Sequence, residues 1–329
     1  MSSPSPAVTV AILTFNGELY LDAILRSVFD QDIGVSIEVL VIDSGSTDGT
    51  LEIVTGYPDV VLHSIPNSEF GHGKTRNLAA RLARGHHIAY LTHDAIPVRS
   101  WLRELLAPFS IDDRIVAVMG KQVPRAMCFP LMKYEIKGVF AGLGPDFGTT
   151  VFYKDDFVSS DGVRDAVAFY SDVNSAARRD FLVSVVPYQD VRYAEDQLFG
   201  RDVIEHGFKK AYAPRAAVEH SNDLTLAEFG RRIFDETVGL RQIGFDIPPM
   251  TLAYRLKLTL RGIAGDSLRI ARDGDYSQKR KLYWLVMNPR YHWVKWRSYR
   301  VSTLVDLADK GALASGSLEH SRQRLADRT

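Results

Sequence analysis

The sequence is short of cysteine, of long apolar runs and of net charge, and each shortage narrows the classes of protein that it can encode. Its 329 residues include one cysteine, Cys128, so neither an internal disulfide nor a thiolate metal cluster can form. No run approaches the roughly 18 apolar residues that a membrane-spanning helix needs. Lys plus Arg and Asp plus Glu each number 40, so the chain lacks the overall positive charge typical of nucleic-acid-binding proteins.

What is present is the composition of an ordinary globular protein, with 46% hydrophobic and 24% charged residues. Residues 1–7 are rich in Ser and Pro and show no basic segment followed by an apolar one, so no signal peptide is predicted. Together with the single cysteine, this favours a reducing cytoplasm as the location.

The first 120 residues alternate between apolar, β-branched runs and amphipathic stretches. Strands are predicted at Val8–Leu13, Ile37–Ile42, Val60–Ile65, Ile88–Thr92 and Ile115–Met119. Helices are predicted at Tyr20–Phe29, Thr47–Val54, Lys74–Ala83 and Ser100–Phe109, the second of them capped by Ser46 or Thr47. This alternation predicts an α/β fold with a Rossmann-like, mostly parallel sheet that is flanked by helices on both faces.

Beyond Gly120 the alternation weakens. The pattern predicts a helix at Met127–Phe140, loops or short antiparallel strands in Gly142–Asp165, a strand entering a short helix at Asn174–Val185, a helix at Asp196–His206 and a strand at Lys210–Glu219. From Leu224 onward it is helical, with breaks predicted at Pro248-Pro249 and Pro289. We therefore expect one domain over residues 1–223 and a helical C-terminal region over residues 224–329.

Polar residues follow the first two predicted strands, at the sheet edge where doubly wound folds bind ligands. Thr14 and Asn16 follow the first strand, where they either contact a nucleotide base or form a plain turn capped by Asn16. Asp43 and Ser44 follow the second strand, and the strand-end position favours a ligand role for Asp43 over turn capping. For Asp48, we favour complementing a helix dipole.

The fourth predicted strand ends at Asp94, whose carboxylate suits Mg²⁺ or Mn²⁺ bound to a diphosphate. The alternative is a capping role before Pro97, and the strand-end position favours the ligand role. His220 follows the last predicted strand and can complete a metal site with Asp94, although an isolated histidine is more often structural.

Two further motifs carry charge. The stretch Glu69–Asn77, which includes Arg76, combines glycines, cations and a helix start. It can bind a diphosphate or an acceptor, or it can be a glycine-rich turn with solvated cations, and the two alternatives are equally favoured. It lacks the spacing of a Walker loop. Glu195 and Asp196 stand at a predicted helix start, where one of them can deprotonate an acceptor hydroxyl or both can act as helix caps. Taken alone, these two acids favour capping.

Taken in order, the motifs resemble those of family 2 glycosyltransferases with the GT-A fold. The resemblance rests on Thr-Phe-Asn at 14–16, Asp-Ser-Gly-Ser-Thr-Asp-Gly-Thr at 43–50, Thr-His-Asp-Ala at 92–95, Glu-Asp-Gln at 195–197 and Val-Glu-His-Ser at 218–221. Within the family, Phe-Gly-His-Gly-Lys-Thr-Arg-Asn at 70–77 and Ser-Asp-Val-Asn-Ser-Ala at 171–176 are most similar to the bacterial rhamnosyltransferase branch. The resemblance covers residues 8–232.

The resemblance implies an inverting, single-displacement transfer of a sugar from a nucleotide donor, dTDP-β-L-rhamnose for this branch, in bacterial surface polysaccharide synthesis. It implies a donor site at Thr14, Asn16, Asp43, Ser44, Arg76 and Asp94, a divalent metal on Asp94 and His220, Asp196 as the base with Glu195 as its substitute, and an acceptor pocket of Ser171, Asp172, Asn174 and Arg178. Thr92 departs from the family's Asp-x-Asp metal motif, which leaves Asp94 in the last position.

The segment 253–300 is the one strongly charged part of the chain. It holds twelve Lys and Arg residues against three Asp, and six Trp and Tyr residues lie near its end. Basic residues interleaved with aromatics suit an anionic membrane surface carrying a lipid-linked acceptor, an oligomerisation surface, or a plain bundle with a solvated face. Nucleic acid is the least favoured partner, because no recognition module is present.

The sequence leaves two rival functions open and disfavours a third. The donor can be a UDP-hexose or UDP-N-acetylhexosamine, and the protein can be a non-catalytic binder that kept the fold, for which the Thr92 departure is the best support. A dinucleotide-dependent oxidoreductase is disfavoured, because no Gly-x-Gly-x-x-Gly follows the first strand.

Overall fold

The computed structural model describes residues 6–155, 167, 169–318 and 320–322. These residues form two compact units. The first lies within Met1–Pro124 and Ile136–Ser221, and the second within Arg125–Glu135 and Asn222–Thr329. Residues 125–135 thus belong to the second unit, although the sequence placed them with the first 223 residues.

The first unit is built on one sheet, in which the described residues contribute nine strands. In chain order they are β1 (Val8–Thr14), β2 (Ile37–Asp43), β3 (Val60–Ser64), β4 (His87–Thr92), β5 (Ile96–Pro97), β6 (Ile115–Val123), β7 (Thr150–Phe152), β8 (Asn174–Arg178) and β9 (Lys209–Glu219). The spatial order is β3-β2-β1-β4-β8-β6-β9-β5, and β7 pairs with β9. The part of Gly142–Asp165 beyond residue 155 lies outside the described residues.

The strands β3, β2, β1 and β4 are parallel, as the alternation of strands and helices predicts. Their apolar runs are buried because helices cover both faces, and β1 buries six of its seven residues. Strand β8 enters between β4 and β6 and is antiparallel to both. The sheet is therefore mixed on this side, since a strand that arrives from a distant part of the chain is free to run in either direction.

The helices of the first unit are short. They are α1 (Leu21–Phe29), α2 (Thr50–Thr55), α3 (His72–Leu82), α4 (Trp101–Leu106), the later part of α5 (Pro130–Leu143), α6 (Arg179–Ser184) and α7 (Glu195–Glu205). Single 3₁₀ turns occur at Asn67–Glu69 and Ala107–Ser110. The helix predicted from Thr47 begins at Thr50, with Gly49 at its N-cap. The prediction of a Ser46 or Thr47 cap was wrong, because the side chain of Ser46 and the backbone N–H of Thr47 bond to other loops.

The second unit is helical. Beyond the start of α5 it contains α8 (Leu226–Gln242), α9 (Leu252–Arg272), α10 (Gln278–Leu304) and α11 (Lys310–Gly316). Helix α8 begins with a capping box, in which Thr225 and Glu228 bond each other's backbone. Pro289 lies inside α10 and does not end it, so the predicted break is wrong. Packed neighbours on both sides, Asn288 and Tyr291, hold the helix through the proline. No helix in the described part of the chain is long and apolar enough to cross a bilayer.

Candidate active site

The loops after β1 and β2 are joined by hydrogen bonds between side chains and backbone at the carboxyl-end edge of the sheet. Asn16, whose φ of 50° lies in the left-handed region, accepts a bond from Thr47 N at 2.8 Å and donates its own N–H to Ser46 Oγ at 2.8 Å. Asn tolerates this conformation better than most residues, which fits its place here. The loops therefore form one preorganised rim.

Asp43 and Ser44 hold this rim from below. Asp43 is buried, accepts the backbone N–H groups of Gly45 and Ser46 at 3.0 and 3.1 Å, and accepts the Ser46 hydroxyl at 2.5 Å. Ser44 donates its N–H and its hydroxyl to Thr14 O, both at 3.0 Å. The side chains of Asp43 and Ser44 thus shape the turn.

Thr14 differs from its neighbours. Its hydroxyl is buried and has no hydrogen-bond partner among the described residues. A Cβ at Gly17 would lie 2.7 Å from that hydroxyl, so only glycine leaves it room. Because an unsatisfied buried hydroxyl is costly, this atom is a candidate contact for a ligand on the rim.

A carboxylate and an imidazole meet beyond the end of β4. His220 Nε2 lies 3.3 Å from Asp94 Oδ2, and the other oxygen of Asp94 accepts the Thr92 hydroxyl at 2.7 Å. His220 Nδ1 faces Gln122 Oε1 at 2.9 Å, so the ring is held from one side by Gln122 and turns Nε2 toward Asp94. Burial opposes ionisation of Asp94, but the His220 ring and the hydrogen bonds hold its pKa below the usual value.

This pair fits a divalent cation by its chemistry, since Mn²⁺ accepts both carboxylate oxygen and imidazole nitrogen. The Gln122 contact is the kind of outer-shell bond that orients a histidine ligand. Within the described residues there is no group of three or more His, Cys, Asp or Glu side chains that could hold a metal.

A second charged group lies where α3, β8 and α7 meet, and we call it the carboxylate cluster: Arg76, Asp172, Glu195 and Asp196. Arg76 Nη1 pairs with Glu195 Oε1, and Arg76 Nε lies 3.2 Å from Asp172 Oδ2. The side chains of Arg76, Asp172 and Glu195 are buried, whereas Asp196 keeps partial exposure. Among the three acids, Asp196 is thus the one that a solvent-borne group can reach.

Hydrogen bonds fix the cluster in place. Asp172 Oδ1 accepts the hydroxyls of Ser175 and Tyr188 at 2.6 and 2.8 Å. Asp196 Oδ1 accepts Gln197 N at 2.8 Å, and Asp172 N donates to Asp196 Oδ2 at 3.4 Å. Just before the two acids, Ala194 has a φ of 63°, a left-handed conformation that costs a residue with a Cβ about 1–2 kcal/mol. Backbone strain of this kind concentrates at functional sites.

Three carboxylates against one guanidinium leave the cluster two negative charges in excess when all are ionised. Burial raises the pKa of Asp196 to about 8, and the Glu195 and Asp172 carboxylates add to the rise. Burial also raises the pKa of Asp172. Burial opposes ionisation of Glu195 as well, but the Arg76 guanidinium holds its pKa below the usual value. The cluster therefore keeps a proton on Asp196 near neutral pH.

Gln122 and Ser171 link the Asp94–His220 pair to the cluster. Gln122 accepts from His220 and donates through Nε2 to Ser171 Oγ at 3.0 Å, and Ser171 directly precedes Asp172. Five separate sequence motifs thus come together in one polar network. The structure brings Asp94, His220, Ser171, Asp172, Glu195, Asp196 and Arg76 into it, and places Thr14, Asn16, Asp43 and Ser44 on the rim at the ends of β1 and β2.

Two of the predicted acceptor residues stand apart from this network. Asn174 is fully buried, and its amide bonds Trp101 Nε1 at 2.6 Å and Ala216 O at 2.7 Å, so it joins strands. Arg178 pairs in register with His87 at the beginning of β4, because β8 is antiparallel to β4. It therefore lies at the opposite edge of the sheet, beside a cavity of about 810 Å³, and the prediction that it lines an acceptor pocket is corrected.

Sequence reasoning missed Gln122, Ser175 and Tyr188. Gln122 lies near the end of a predicted strand and Tyr188 in a segment without a periodic pattern, so no local spacing marks either residue. Their roles depend on contacts made across 98 and 16 residues of chain, respectively. Ser175 does carry a local signal, since it belongs to the Ser-Asp-Val-Asn-Ser-Ala motif at 171–176.

Comparison with solved structures shows the class of protein that this fold defines. The mannosyltransferase PcManGT of Pyrobaculum calidifontis, solved with GDP-Man and Mn²⁺, superposes with a TM-score of 0.59 at 19% identity, over 94% of this chain and 89% of that one. Residues 1–349 of TarS from S. aureus, solved with UDP-GlcNAc, superpose with a TM-score of 0.51 at 18% identity, over 94% and 79%. The fold is that of the GT-A glycosyltransferases, as the sequence predicts.

Sequence comparison narrows the class to a family. The profile described as Glycosyl transferase family 2 matches residues 9–182. The O-antigen chain rhamnosyltransferase RfbN of Salmonella typhimurium is 31% identical over 237 residues, which are 70% of this chain and 71% of the relative. The O-antigen chain rhamnosyltransferase WbaN of Salmonella anatum is 29% identical over 71% and 72%. The chain belongs to glycosyltransferase family 2, which confirms the family resemblance of its motifs.

Proposed function

We propose that this protein is an inverting glycosyltransferase that moves L-rhamnose from dTDP-β-L-rhamnose to a saccharide or a lipid-linked saccharide, in bacterial surface polysaccharide synthesis. The observation that carries the proposal is Asp196, the partly exposed acid of a buried cluster that hydrogen bonds connect to Asp94 and His220. The rhamnose donor is supported by the motifs at 70–77 and 171–176 and by the two rhamnosyltransferase relatives.

In this account, Asp196 accepts the proton of the acceptor hydroxyl as its oxygen attacks the anomeric carbon from the face opposite the leaving group. The bond from that carbon to the nucleoside diphosphate breaks, so configuration inverts and an α-L-rhamnoside forms. A carboxylate with a pKa of about 8 is a strong base once ionised, which is what removal of a hydroxyl proton requires. Glu195 is the weaker candidate, because it is buried against Arg76.

The donor would bind with its nucleotide on the rim formed by Thr14, Asn16, Asp43 and Ser44. Asp94 and His220 would hold the divalent cation beside the diphosphate. A bound Mn²⁺ or Mg²⁺ would neutralise the negative charge that grows on the departing diphosphate. For Arg76 we propose a positioning role in place of the donor contact that the family resemblance implies, because its guanidinium pairs with Asp172 and Glu195 beside the base.

The cytoplasm is the proposed location, since nucleotide sugars are made there and the chain offers a single cysteine. A lipid-linked acceptor would bring the protein to the inner face of the membrane.

Calorimetric titration with dTDP-L-rhamnose, UDP-glucose and UDP-N-acetylglucosamine, each with and without Mn²⁺ or Mg²⁺, tests the donor. We expect the dTDP-sugar to bind most tightly and only with metal. We expect Asp94→Asn to weaken the metal-dependent binding at least about tenfold, as loss of a metal-site residue does. The exposed Asp113→Asn serves as the matched control and should bind like the wild type.

Each other result has a definite meaning. Tighter binding of a UDP-sugar would keep the family and discard rhamnose. Equal binding without metal would discard the Asp94–His220 site. A folded protein that binds no donor would favour the rival hypothesis of a non-catalytic protein.

A further inference from the structure

Helices α9 and α10 of the second unit turn apolar side chains outward. Helix α9 buries Arg255, Thr259, Asp266 and Ile270, whereas four of its five leucines are exposed: Leu252, Leu256, Leu260 and Leu268, at 42–68%. A surface helix of a globular protein normally shows the reverse distribution. The exposed leucines therefore call for a partner that the second unit does not itself provide.

The polar inner side of α9 is used by its contact with α10. Asp266 faces His292 Nε2 at 2.9 Å, and Asn288 Nδ2 donates to Ile263 O and Ser267 Oγ at 3.0 and 3.1 Å. Gly262 lies directly against the His292 ring, where a Cβ would come within 2.4 Å. These specific contacts fix which side of each helix faces the other, so the leucines stay outside.

Helix α10 shows the same arrangement. Its exposed apolar residues recur at helical spacing and fall within an arc of about 100° at 3.6 residues per turn. They are Leu282, Val286, Trp293, Val301 and Leu304, at 47–66% exposure. The exposed cations Lys279, Arg290 and Arg297 lie in that same arc. On α9, the exposed Lys257 and Arg261 stand among the leucines.

The acids of the same segment pair with other residues than these cations. The segment 253–300 contains three Asp, and each is engaged by another side chain of the second unit. Asp266 contacts His292 and Arg269, while Asp273 and Asp275 both pair with Lys133 at 2.8 and 2.7 Å. The outward arcs of α9 and α10, which we call the basic-apolar face, therefore present positive charge and apolar surface together.

We propose that the basic-apolar face docks on an anionic phospholipid bilayer. The leucines, Val286 and Trp293 would enter the boundary between headgroups and acyl chains, and the five cations would pair with lipid phosphates. Burial at this depth suits helices that are not able to span the bilayer. The proposal concerns the second unit and stands whether or not the donor is dTDP-rhamnose.

A second copy of the chain is a poorer occupant. If two copies met through this face, positive charges would approach one another, namely those of Lys257, Arg261, Arg290 and Arg297. The cores of homodimer interfaces are, in addition, depleted in charged residues. A nucleic acid would neutralise the cations but leave the exposed leucines in water. Only an anionic lipid surface satisfies both components of the face.

Cosedimentation of the full chain with vesicles tests this. We expect binding to phosphatidylcholine vesicles that contain phosphatidylglycerol, little binding to phosphatidylcholine alone, and weakening with salt. Arg297→Glu should reduce the partition coefficient at least about fivefold, the effect of one cation near such a surface. Arg81→Glu, an exposed arginine on α3, is the matched control and should change it less than twofold.

The apolar component has its own test. The double variant Leu260→Ser, Val286→Ser should lower vesicle binding at least about tenfold while the salt dependence persists. The fluorescence emission of Trp293 should shift to the blue when the protein binds anionic vesicles, and this shift should be absent from the Trp293→Phe variant. All these side chains are exposed, so circular dichroism should match the wild type. Binding that ignores both lipid charge and these variants would overturn the proposal. So would a dimer in sedimentation equilibrium that Leu260→Asp dissolves, since the face would then be a contact between copies.

Discussion

The carboxylate cluster depends on one residue more than on any other. Arg76 is buried and pairs with both Asp172 and Glu195. Its own pKa is raised because the two carboxylates outweigh the cost of burying it. Buried ion groups of this kind add little net stability when complete but destabilise strongly when one partner is removed.

Arg76→Ala should therefore destabilise the protein by about 3–5 kcal/mol, since it leaves the buried Asp172 and Glu195 without their counter-charge. Chemical denaturation at pH 7.5 measures the change, and the loss should shrink at pH 5, where the carboxylates take up protons. Arg81→Ala, an exposed arginine on the same helix, should cost less than about 0.5 kcal/mol. Equal and small effects of the two variants would show that the cluster is not held together by Arg76.

At the scale of elements, Asn174 joins the middle of the sheet. Its amide reaches Trp101 of α4, Lys121 O of β6 and Ala216 O of β9. A Cβ at Gly120 would meet that amide and Ala216 O at 2.3 and 2.1 Å, so β6 and β9 approach β8 as closely as glycine permits. The antiparallel entry of β8 is therefore fixed by polar contacts as well as by its ladder.

Asn174→Ala should lower stability by at least about 2 kcal/mol, because it leaves the Trp101 N–H and buried carbonyls without partners. The affinity for the donor should not change, since no donor residue contacts this amide. Thermal denaturation and calorimetry measure the two quantities. Asn222→Ala, at a partly exposed asparagine, should have little effect on either. A loss of acceptor affinity without loss of stability would restore Asn174 to an acceptor pocket.

The sequence predicts the elements better than it predicts their pairing. Apolar β-branched runs locate β1, β2, β3 and β4 within one residue, because burial on both faces demands such runs. They also locate the beginning of β6, whose last four residues lie beyond the predicted strand. The direction of β8 follows from contacts over more than 80 residues of chain, and no periodicity records it. The wrong prediction for Arg178 follows from the unpredicted direction of β8. Because β8 is antiparallel to β4, its last residue lies at the edge of the sheet opposite the candidate site.

The same distinction holds for the site. Residues that follow parallel strands, such as Asp43 and Asp94, share an edge by the logic of the fold, so the sequence suffices to group them. The link from His220 through Gln122 to Ser171 depends on side-chain directions in three separate strands and loops. Likewise, the partners of Arg76 emerge only when α3 and α7 come together.

At the scale of the whole molecule, the chain combines a GT-A unit with a helical unit of a different chemical character. The first unit holds the carboxylate cluster and the Asp94–His220 pair, and the second carries the basic-apolar face. Family 2 membership and the α/β fold are shown by the comparisons. The transfer reaction proposed for the molecule depends on one protonation event in the carboxylate cluster.

The ionisation of Asp196 predicts how the rate of transfer changes with pH. Since Asp196 acts as a base only when ionised, and its pKa is about 8, activity should increase as the pH rises toward 8. Below that value the ionised fraction falls about tenfold for each pH unit, and kcat/KM for the transfer should fall with it. Above it the profile should level off.

The pH dependence of kcat/KM for wild type and Asp196→Asn, measured with the donor that binds in calorimetry, tests the central claim most directly. We predict a wild-type profile that is half-maximal near pH 8 and reaches its plateau about one pH unit higher. Asp196→Asn should bind the donor normally but turn over about 100- to 10,000-fold more slowly, without the rise between pH 6 and 8. Glu205→Gln, at an exposed acid on the same helix, should follow the wild type. An Asp196→Asn protein that keeps both its rate and the rising limb would show that another group accepts the proton.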